Sequence, residues 1–282
     1  MIAGHDYRPA DESSLVVAHR DDEFNEFQLD VYADIEPRHF WFHGRRRFIQ
    51  YALARELART SFAEPPSAID LGGGAGGWIK HLRTEMPGAF KELAFGDSSP
   101  RALQLAEAVL GPDVPRFHVD LRSLPWRDRW DIAFLLDVIE HIRDDAEAIR
   151  QIRLALRPGG LLFATAPAIH RLWTYNDDLE RHARRYSRRD FQKLADECGL
   201  ELIYSRYFMF FLSPLLFLSR RFGPKANRMT SEEMAAHYRK THGVPPRSVN
   251  AILRSIFNLE TPLGHRIAFP WGTSVFGLFR KP

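Results

Sequence analysis

Residues 68–78 read AIDLGGGAGGW, a short apolar run followed by a loop with five of the chain's 18 glycines. The apolar run has the length of a short β-strand, and the glycines allow a ligand to approach the backbone closely. Two ligand patterns fit this loop. One is the dinucleotide spacing G-x-G-x-x-G, which begins at Gly72, and the other is an acidic variant, D-x-G-x-G-x-G, which begins at Asp70.

The charge of Asp70 helps to choose between the two patterns. A carboxylate at the strand end would repel a pyrophosphate at the N-terminus of the next helix, and it would favour a cation such as the ammonium group of an amino acid. No Gly-Lys-Ser/Thr follows the loop, so a phosphate-binding P-loop does not fit either. The residues therefore disfavour a dinucleotide, although the glycine spacing permits one.

Two further aspartates end the next predicted strands. Asp97, in LAFGDSSP, lies 21 positions after Gly76, near the spacing at which a carboxylate reaches a ribose diol. The alternative role for Asp97 is the N-cap of the helix that follows. Asp120 ends the third strand, where it and Leu121 could border an adenine. S-adenosylmethionine, an adenosine compound with a cationic head and no phosphate, fits this set.

Strands and helices alternate regularly after Pro65-Pro66. The pattern predicts strands at SAIDL, LAFGD, RFHVDL, WDIAFLLD, LLFATAP, LELIYSR and TSVFGLFRK, with amphipathic helices between most of them. One helix is predicted to end at Arg157-Pro158-Gly159-Gly160, and another to begin at a capping box, Ser187 to Asp190. The fold class predicted is α/β, a doubly wound Rossmann-like sheet of seven strands, mostly parallel.

The same pattern divides the chain into four parts. They are a loose tail (1–22), a helical lid (23–64), the S-adenosylmethionine-binding domain (65–206 with 272–282) and an insertion (207–271) that forms a pocket for a second substrate or a membrane-facing lid. The insertion opens with YFMFFLSPLLFLSRRF, whose roughly 16 residues would span about 24 Å as a helix, against about 30 Å of hydrocarbon in a bilayer. We predict a packed lid or core helix here, with interfacial membrane contact or a re-entrant anchor as alternatives.

Composition indicates the class of the protein and its location in the cell. A hydrophobic fraction of 45% and a charged fraction of 27% are typical of a soluble globular protein, and the net charge is only +3. Basic residues cluster at 45–47 and 181–189, as solvated faces or as contacts for an acidic substrate or an anionic membrane. Cys198 is the single cysteine, and the start of the chain does not resemble a signal peptide. We expect a cytoplasmic protein, with association with a membrane surface as the alternative.

Five segments in this order resemble the class I S-adenosylmethionine-dependent methyltransferases: AIDLGGGAGG, LAFGDSS, FHVDLRSLPW, WDIAFLLDVIEHI and LRPGGLLFATAP. They cover roughly residues 66–205, with a last strand near 273–280. LDVIEHI followed by LRPGG resembles the small-molecule branch that includes the ubiquinone-biosynthesis O-methyltransferases. HFWFHGRRRFI, RHARRYS and GTSVFGLFRKP look like a bacterial subgroup whose members often belong to glycan, lipid or secondary-metabolite pathways.

The resemblance implies a set of cofactor contacts. S-adenosylmethionine would be the methyl donor, and S-adenosylhomocysteine the product. Asp70 would lie near the methionine end, Asp97 would bind the ribose, and Asp137 would face the gap between cofactor and acceptor. The cofactor-binding residues predicted are Asp70, Gly72, Gly74, Gly76, Asp97, Ser98, Asp120, Leu121 and Asp137.

Methyl transfer needs no nucleophile from the protein, but a hydroxyl acceptor must lose a proton to a base. His141, after the fourth strand, is the first candidate for this base, His182 the second and Tyr175 the third. For His141, simple packing at a helix start is the alternative. Asp137, Glu140 and His141 would share one helix face and could bind Mg²⁺, but an ordinary helix start is the preferred interpretation, so no metal site is predicted.

The aromatic segment before the first strand is predicted to cover the cofactor. Phe40 and Trp41 would supply apolar area, and Arg45 could reach an acidic group on cofactor or substrate, with plain helix packing as the alternative. The acceptor is expected to be small or lipid-like, with O-methylation preferred over N- or C-methylation. An NAD-dependent oxidoreductase and a non-catalytic membrane module are the rival functions. A nucleic-acid partner is not expected, because no Asn-Pro-Pro-Tyr-type motif follows the fourth strand.

Overall fold

The computed structural model describes residues 24, 26–60, 62–221 and 231–282, so the tail predicted for residues 1–22 lies outside the described residues. Seven strands form one sheet. They are β1 (Ser67–Leu71), β2 (Glu92–Asp97), β3 (Arg116–His118), β4 (Trp130–Leu136), β5 (Leu156–Pro167), β6 (Glu201–Phe208) and β7 (Ser274–Arg280). Their order across the sheet is β3-β2-β1-β4-β5-β7-β6.

The sheet is parallel from β3 to β5, and β7 runs antiparallel to both β5 and β6. This confirms the predicted doubly wound, mostly parallel α/β sheet. The strand order reverses between β1 and β4, which lie side by side. In open α/β sheets, ligands bind beyond the carboxyl ends of the strands at such a switch point.

Two strands differ in length from the prediction. β5 begins at Leu156, directly after α5, and includes Arg157 to Gly160, which the sequence marked only as the end of the preceding helix. The backbone of this stretch is held by the C-terminal segment, since Gly159 N–H donates to the carbonyl of Lys281 at 2.8 Å and Lys281 N–H donates to that of Gly160 at 2.9 Å. β3 covers only three residues of the predicted RFHVDL.

The described residues also form ten helices and two 3₁₀ turns. The helices are α1 (Phe27–Ile35), α2 (Phe40–Arg59), α3 (Gly77–Glu85), α4 (Pro100–Leu110), α5 (Asp145–Ala155), α6 (Tyr175–Leu179), α7 (Arg188–Cys198), α8 (Ser213–Arg221), α9 (Ser231–Thr241) and α10 (Arg247–Arg266). The 3₁₀ turns are Ile139–His141 and His170–Leu172. Helix α7 begins at the predicted capping box, in which Ser187 and Asp190 bond each other's backbone N–H groups.

Helices cover both faces of the sheet. Apolar side chains of α5 and α7 pack on one face, and those of α2, α3 and α10 pack on the other. Helix α2 contributes the fully buried Phe48, Ile49, Ala52 and Leu53 to the second core. The segment predicted as a lid is thus also part of the core, because it buries one whole apolar face against the strands.

The segment between β6 and β7 packs around α2. Phe208, Met209 and Leu212 are buried in the core, and Phe257 of α10 lies against Gly44 of α2. None of the described helices combines the length and the apolar character that crossing a bilayer requires.

Candidate functional site

A cavity of about 560 Å³ lies beyond the carboxyl ends of β1, β2 and β4. Helices α1 and α2 contribute to its walls, as do the 3₁₀ turn at 139–141, α6 and the segment between α9 and α10. All predicted site residues line it except Gly76. They are Phe40, Trp41, Arg45, Asp70, Gly72, Gly74, Asp97, Ser98, Asp120, Leu121, Asp137, His141, Tyr175 and His182.

The glycine loop needs glycine for two physical reasons. Gly72 and Gly74 have φ angles of +71° and +59°, a region that favours glycine. A Cβ at Gly72 would also lie 2.7 Å from the methyl groups of Val138. The loop is tied to the next strand, because Gly74 N–H donates to Asp97 Oδ2 at 3.2 Å. The backbone is therefore bent tightly towards the cavity.

Two other glycines have steric roles that the sequence did not predict. Gly76 is the N-cap of α3 with φ +83°, and a Cβ there would lie 3.0 Å from Leu110. It makes room for α4 and does not line the cavity, so its contact with the cofactor stays a prediction. Gly73, which the sequence marks only as one more glycine, is sterically required, because a Cβ there would lie 2.4 Å from Asp70 Oδ2 and 2.6 Å from the Phe95 ring.

Asp70 is a buried carboxyl group in the wall of the cavity. It is 1% exposed, and neither of its oxygens has a hydrogen-bond partner among the described residues. Burial raises the pKa of Asp70 to about 8, against a lowering effect of Arg45. An ammonium group in the cavity would supply the missing donors and favour the anionic form. The site therefore fits the amino end of the predicted cofactor.

The next two strand ends supply the other predicted aspartates. Asp97 accepts hydrogen bonds from Gly74 N–H and from Ser99 N–H, at 3.2 and 2.9 Å. The N-cap of α4 is Ser99, whose Oγ accepts from Ala102 N–H, so Asp97 does not cap that helix through its own side chain. Asp120 forms an ion pair with Arg122. These carboxylates lie along one wall of the cavity.

Asp137 and Arg45 connect the floor of the cavity with α2. Asp137 follows β4 with a φ of +57°, and Arg45 forms an ion pair with it and donates to the carbonyl of Leu136 at 3.3 Å. The guanidinium carbon of Arg45 lies 4.7 Å from the centre of the Trp41 ring. Arg45 Nε is buried without a partner among the described residues. Arg45 is therefore a buried cation with a free donor beside the cavity.

Phe40 begins the helix that carries Arg45. Its N–H donates to Asn250 Oδ1 at 2.9 Å, and Asn250 Nδ2 donates to the carbonyl of Arg38 at 2.8 Å. The start of α2 is thereby attached to α10. A second buried ion pair, Glu36 with Arg46 at 2.5 Å, joins α1 to α2 beside the start of α3.

His182 is clamped between two carboxylates. Its Nδ1 lies 2.9 Å from Asp177 Oδ1 and its Nε2 lies 3.0 Å from Glu180 Oε2. Burial would lower the pKa of His182, but these two hydrogen bonds raise it to about 10. For Asp177, burial is outweighed by hydrogen bonds from His182 and Arg185, and its pKa falls to about 2. A histidine that holds its proton at neutral pH cannot accept another, so this geometry argues against the predicted role of His182 as a base.

The other two base candidates, His141 and Tyr175, also line the cavity. The His141 ring meets the His182 ring edge-on, with 4.8 Å between ring centres. Tyr175 is half-buried at the start of α6. Glu140 is 1% exposed, and its Oε2 has no partner among the described residues. Burial and the nearby Asp137 raise the pKa of Glu140 well above its ordinary value.

Glu140, His141 and His182 have potential ligand atoms within 4.8 Å of one another. The alternative Mg²⁺ set of the sequence, with Asp137 in place of His182, is not assembled, because Asp137 pairs with Arg45. His182 in turn has both ring nitrogens bonded to carboxylates. We derive no metal chemistry from this cluster.

Three polar residues of the cavity wall, Glu180, His242 and Tyr32, were not predicted from the sequence. Glu180 also lies 3.4 Å from His242 Nε2 and accepts from the Tyr238 hydroxyl at 3.1 Å. The Tyr238 oxygen lies 2.6 Å from the Tyr32 hydroxyl, from which it accepts a hydrogen bond. The spacing Glu180-x-His182 could have indicated an acid–histidine pair. His242 and Tyr32 gave no local signal, because they lie far from Glu180 in the chain.

Comparison with known proteins agrees with this geometry. A family model described as a methyltransferase domain matches residues 43–205, more than half of the chain. No curated protein matches the sequence significantly.

Solved structures with this fold are distant in sequence. The partner of the methyltransferase activator Trm112 in a Haloferax volcanii complex matches with 18% identity, a TM-score of 0.56, and coverage of 92% of this chain and 96% of that chain. Phosphoethanolamine N-methyltransferase 2 of Haemonchus contortus, solved with phosphomonomethylethanolamine and S-adenosylhomocysteine, matches with 17% identity, a TM-score of 0.56, and coverage of 92% and 58%. A Galdieria sulphuraria protein assigned as a sarcosine dimethylglycine methyltransferase matches with 19% identity, a TM-score of 0.53, and coverage of 82% and 84%.

Proposed function

Because the chain belongs to the class I S-adenosylmethionine-dependent methyltransferases, we propose that this enzyme methylates a hydroxyl oxygen of a small or lipid-like acceptor. S-adenosylmethionine is its cofactor, and when bound it supplies a methyl group that a positively charged sulfur makes electrophilic. The observation that carries the proposal is the cavity at the β1–β4 switch point, where a buried carboxyl without partners and a histidine line one space. The rival oxidoreductase function has no support in the family match.

The cofactor end of the cavity is assigned to the strand-end aspartates. Asp70 binds the ammonium group of the methionine part, since both of its oxygens need donors. Asp97 binds the ribose hydroxyls from the end of β2, where it lines the cavity and is fixed by Gly74 N–H and Ser99 N–H. Asp120 and Leu121 border the adenine. Arg45 supports the cofactor's carboxylate through its unpaired Nε.

The acceptor end is assigned to the wall formed by α2, the 139–141 turn and α6. Trp41 and Tyr175 hold the acceptor in line with the methyl group and exclude water. Orientation of this kind contributes about 7–11 kcal/mol to catalysis of a two-substrate reaction. The chain therefore needs few chemical groups beyond those that position the two partners.

His141 is the residue proposed to take the hydroxyl proton. His182 beside it already carries a positive charge that two carboxylates stabilise. Because both ring nitrogens of His182 are bonded to carboxylates, His141 is the better placed of these two neighbouring histidines to take the proton. Tyr175 positions the acceptor.

The test is a transfer assay with methyl-labelled S-adenosylmethionine and paired acceptors that differ only in a hydroxyl or an amine. Mass spectrometry locates the methyl group. His141→Gln should lower the rate by about 10²–10⁴-fold and leave the affinity for S-adenosylhomocysteine unchanged, while Tyr175→Phe should change mainly KM. If His141→Gln reacts within threefold of the wild-type rate, His141 is not the base. If the wild-type protein does not bind S-adenosylhomocysteine, the proposed methyl transfer is wrong.

N-methylation is the second candidate, and Glu140 favours it. A buried carboxylate with an oxygen that has no partner among the described residues could bind the ammonium form of an amine acceptor and take the proton that the nitrogen must lose before it attacks the methyl group. The Haemonchus contortus neighbour is itself an N-methyltransferase. This alternative is correct if, in a matched pair of acceptors, the amine is methylated and the hydroxyl is not. The Glu140→Gln variant should then lose methyl transfer to the amine.

A further inference from the structure

Large apolar side chains are exposed around α8 and the C-terminal half of α10. We define the apolar face as Phe211, Leu215, Leu218, Leu259, Ile267 and Trp271, all of which are exposed. Leu218 and Leu259 are 58% and 66% exposed. Such side chains occur singly on many soluble proteins, but a contiguous group of them marks a site of interaction.

Hydrogen bonds hold the parts of the apolar face together. The carboxylate of Glu260, next to Leu259, accepts from the N–H groups of Phe210 and Phe211 at 3.0 and 2.9 Å. Trp271 Nε1–H donates to Ser213 Oγ in the first turn of α8 at 3.2 Å. The end of α10, the start of α8 and the segment before β7 therefore form one surface.

Helix α8 has two apolar sides with different environments. Phe211, in the turn before α8, and Leu215 and Leu218 within α8 follow the spacing i, i+4, i+7, and all three are exposed. Leu212 is buried in the core on the other side, and Leu216, one turn later, lines the cavity. One helix thus separates the acceptor end of the cavity from the apolar face.

Charge indicates the partner. Between residues 202 and 231 the sequence has Arg206, Arg220, Arg221, Lys225 and Arg228 and no acidic residue. On α10 the single acidic residue, Glu260, is buried. Arg254 and Arg266 of α10 are exposed, and Arg266 stands next to Ile267 of the apolar face. An apolar face with exposed arginines on the same helix and an exposed tryptophan suits an anionic bilayer surface.

We propose that the apolar face docks on an anionic lipid bilayer and that α8 lies in the interface as the wall between bilayer and cavity. An acceptor dissolved in the membrane then reaches the cavity past Leu216 without crossing water. The docking does not depend on the reaction that the enzyme catalyses, whereas the delivery of an acceptor rests on the methyl transfer proposed above.

Flotation of the full chain with vesicles tests the docking. The chain should float with vesicles of phosphatidylglycerol and phosphatidylcholine, and less with phosphatidylcholine alone. The double variant Leu215→Glu/Leu218→Glu should reduce the bound fraction about tenfold or more, because its side chains face the lipid. The double variant Gln104→Glu/Gln192→Glu adds the same charge at exposed positions of α4 and α7 and should float like the wild type.

Several outcomes would overturn the docking. The first is that the wild type does not float with anionic vesicles, and the second is that both double variants float equally. The third is that the wild type does not float but is a dimer in light scattering, and that Leu215→Glu/Leu218→Glu converts this dimer to a monomer. Titration with S-adenosylhomocysteine keeps the two proposals apart. If the wild type floats but does not bind S-adenosylhomocysteine, only the methyl-transfer proposal is wrong. If it binds S-adenosylhomocysteine but does not float, only the docking proposal is wrong.

Discussion

At Asp70, burial and the expected ligand act on one carboxyl group in opposite directions. Burial raises its pKa to about 8, so in the free protein at neutral pH the group is mostly protonated. An ammonium ligand requires the anion. Binding must therefore release a proton, and the affinity of the ligand becomes linked to pH.

We expect the affinity for S-adenosylhomocysteine to rise about tenfold per pH unit between pH 6 and 7.5, because proton release is less costly at higher pH. Calorimetric titration in two buffers with different ionisation enthalpies measures both the affinity and the number of protons released on binding. Asp70→Asn serves as the control, and it should bind weakly with no pH dependence in this window. A wild-type affinity that stays flat from pH 6 to 7.5 would show that Asp70 binds no cation.

His182 links stability to pH in the alkaline range. Its folded-state pKa of about 10 exceeds the ordinary value of 6.5, so its contribution is complete below about pH 6.5 and is lost as pH rises towards 10. His182→Leu should lower the free energy of unfolding by about 3–5 kcal/mol at pH 6.5, because Asp177 and Glu180 lose their shared cation. The difference between wild type and variant should shrink by pH 10.

Urea unfolding of both proteins at several pH values measures this difference. His170→Leu is a suitable control, since His170 lies in an exposed turn and forms no such clamp with carboxylates in the described residues. A His182 difference that is constant from pH 6.5 to 10 would mean that the clamp holds a neutral imidazole.

At the scale of elements, the glycine loop depends on Gly73 for steric reasons. Gly73→Ala places a methyl group 2.4 Å from Asp70 Oδ2, so the carboxylate or the loop must move. We expect the affinity for S-adenosylhomocysteine to fall about tenfold or more, because such crowding costs about 1–3 kcal/mol. Gly88→Ala, with no atom within 4 Å of the new Cβ, should leave the affinity unchanged. Equal affinities of both variants in the same titration would contradict the steric role.

The sequence predicted those elements whose signals are local. The Ser187–Asp190 capping box starts α7 as predicted, because both partners lie within one turn. The helix before Arg157-Pro158-Gly159-Gly160 ends as predicted, but the inclusion of this stretch in β5 was missed, because the bonds that hold it come from Lys281, more than 100 residues away. The cofactor end of the site was predictable from the strand-end motifs, whereas the bond between Glu180 and His242 depends on the tertiary fold.

For the whole molecule, α2 joins the sheet, the cavity and the C-terminal insertion. One face of α2 is buried on the strands, Arg45 and Trp41 line the cavity, and Gly44 faces α10. A Cβ at Gly44 would lie 1.9 Å from the Phe257 ring, so the two helices are in direct contact there. A change in this contact should therefore affect stability and the cavity together.

Gly44→Ala should lower Tm by about 3–10 °C, because overpacking costs about 1–3 kcal/mol and the helices must separate. The affinity for S-adenosylhomocysteine should fall as well, since α2 carries Arg45. Phe257→Leu alone should also destabilise the protein by leaving a cavity. Gly44→Ala/Phe257→Leu should be more stable than the sum of the two losses predicts, because the smaller side chain makes room for the new methyl group. Thermal unfolding of the four proteins measures the coupling, and strictly additive losses would mean that Gly44 and Phe257 do not determine how α10 packs against α2.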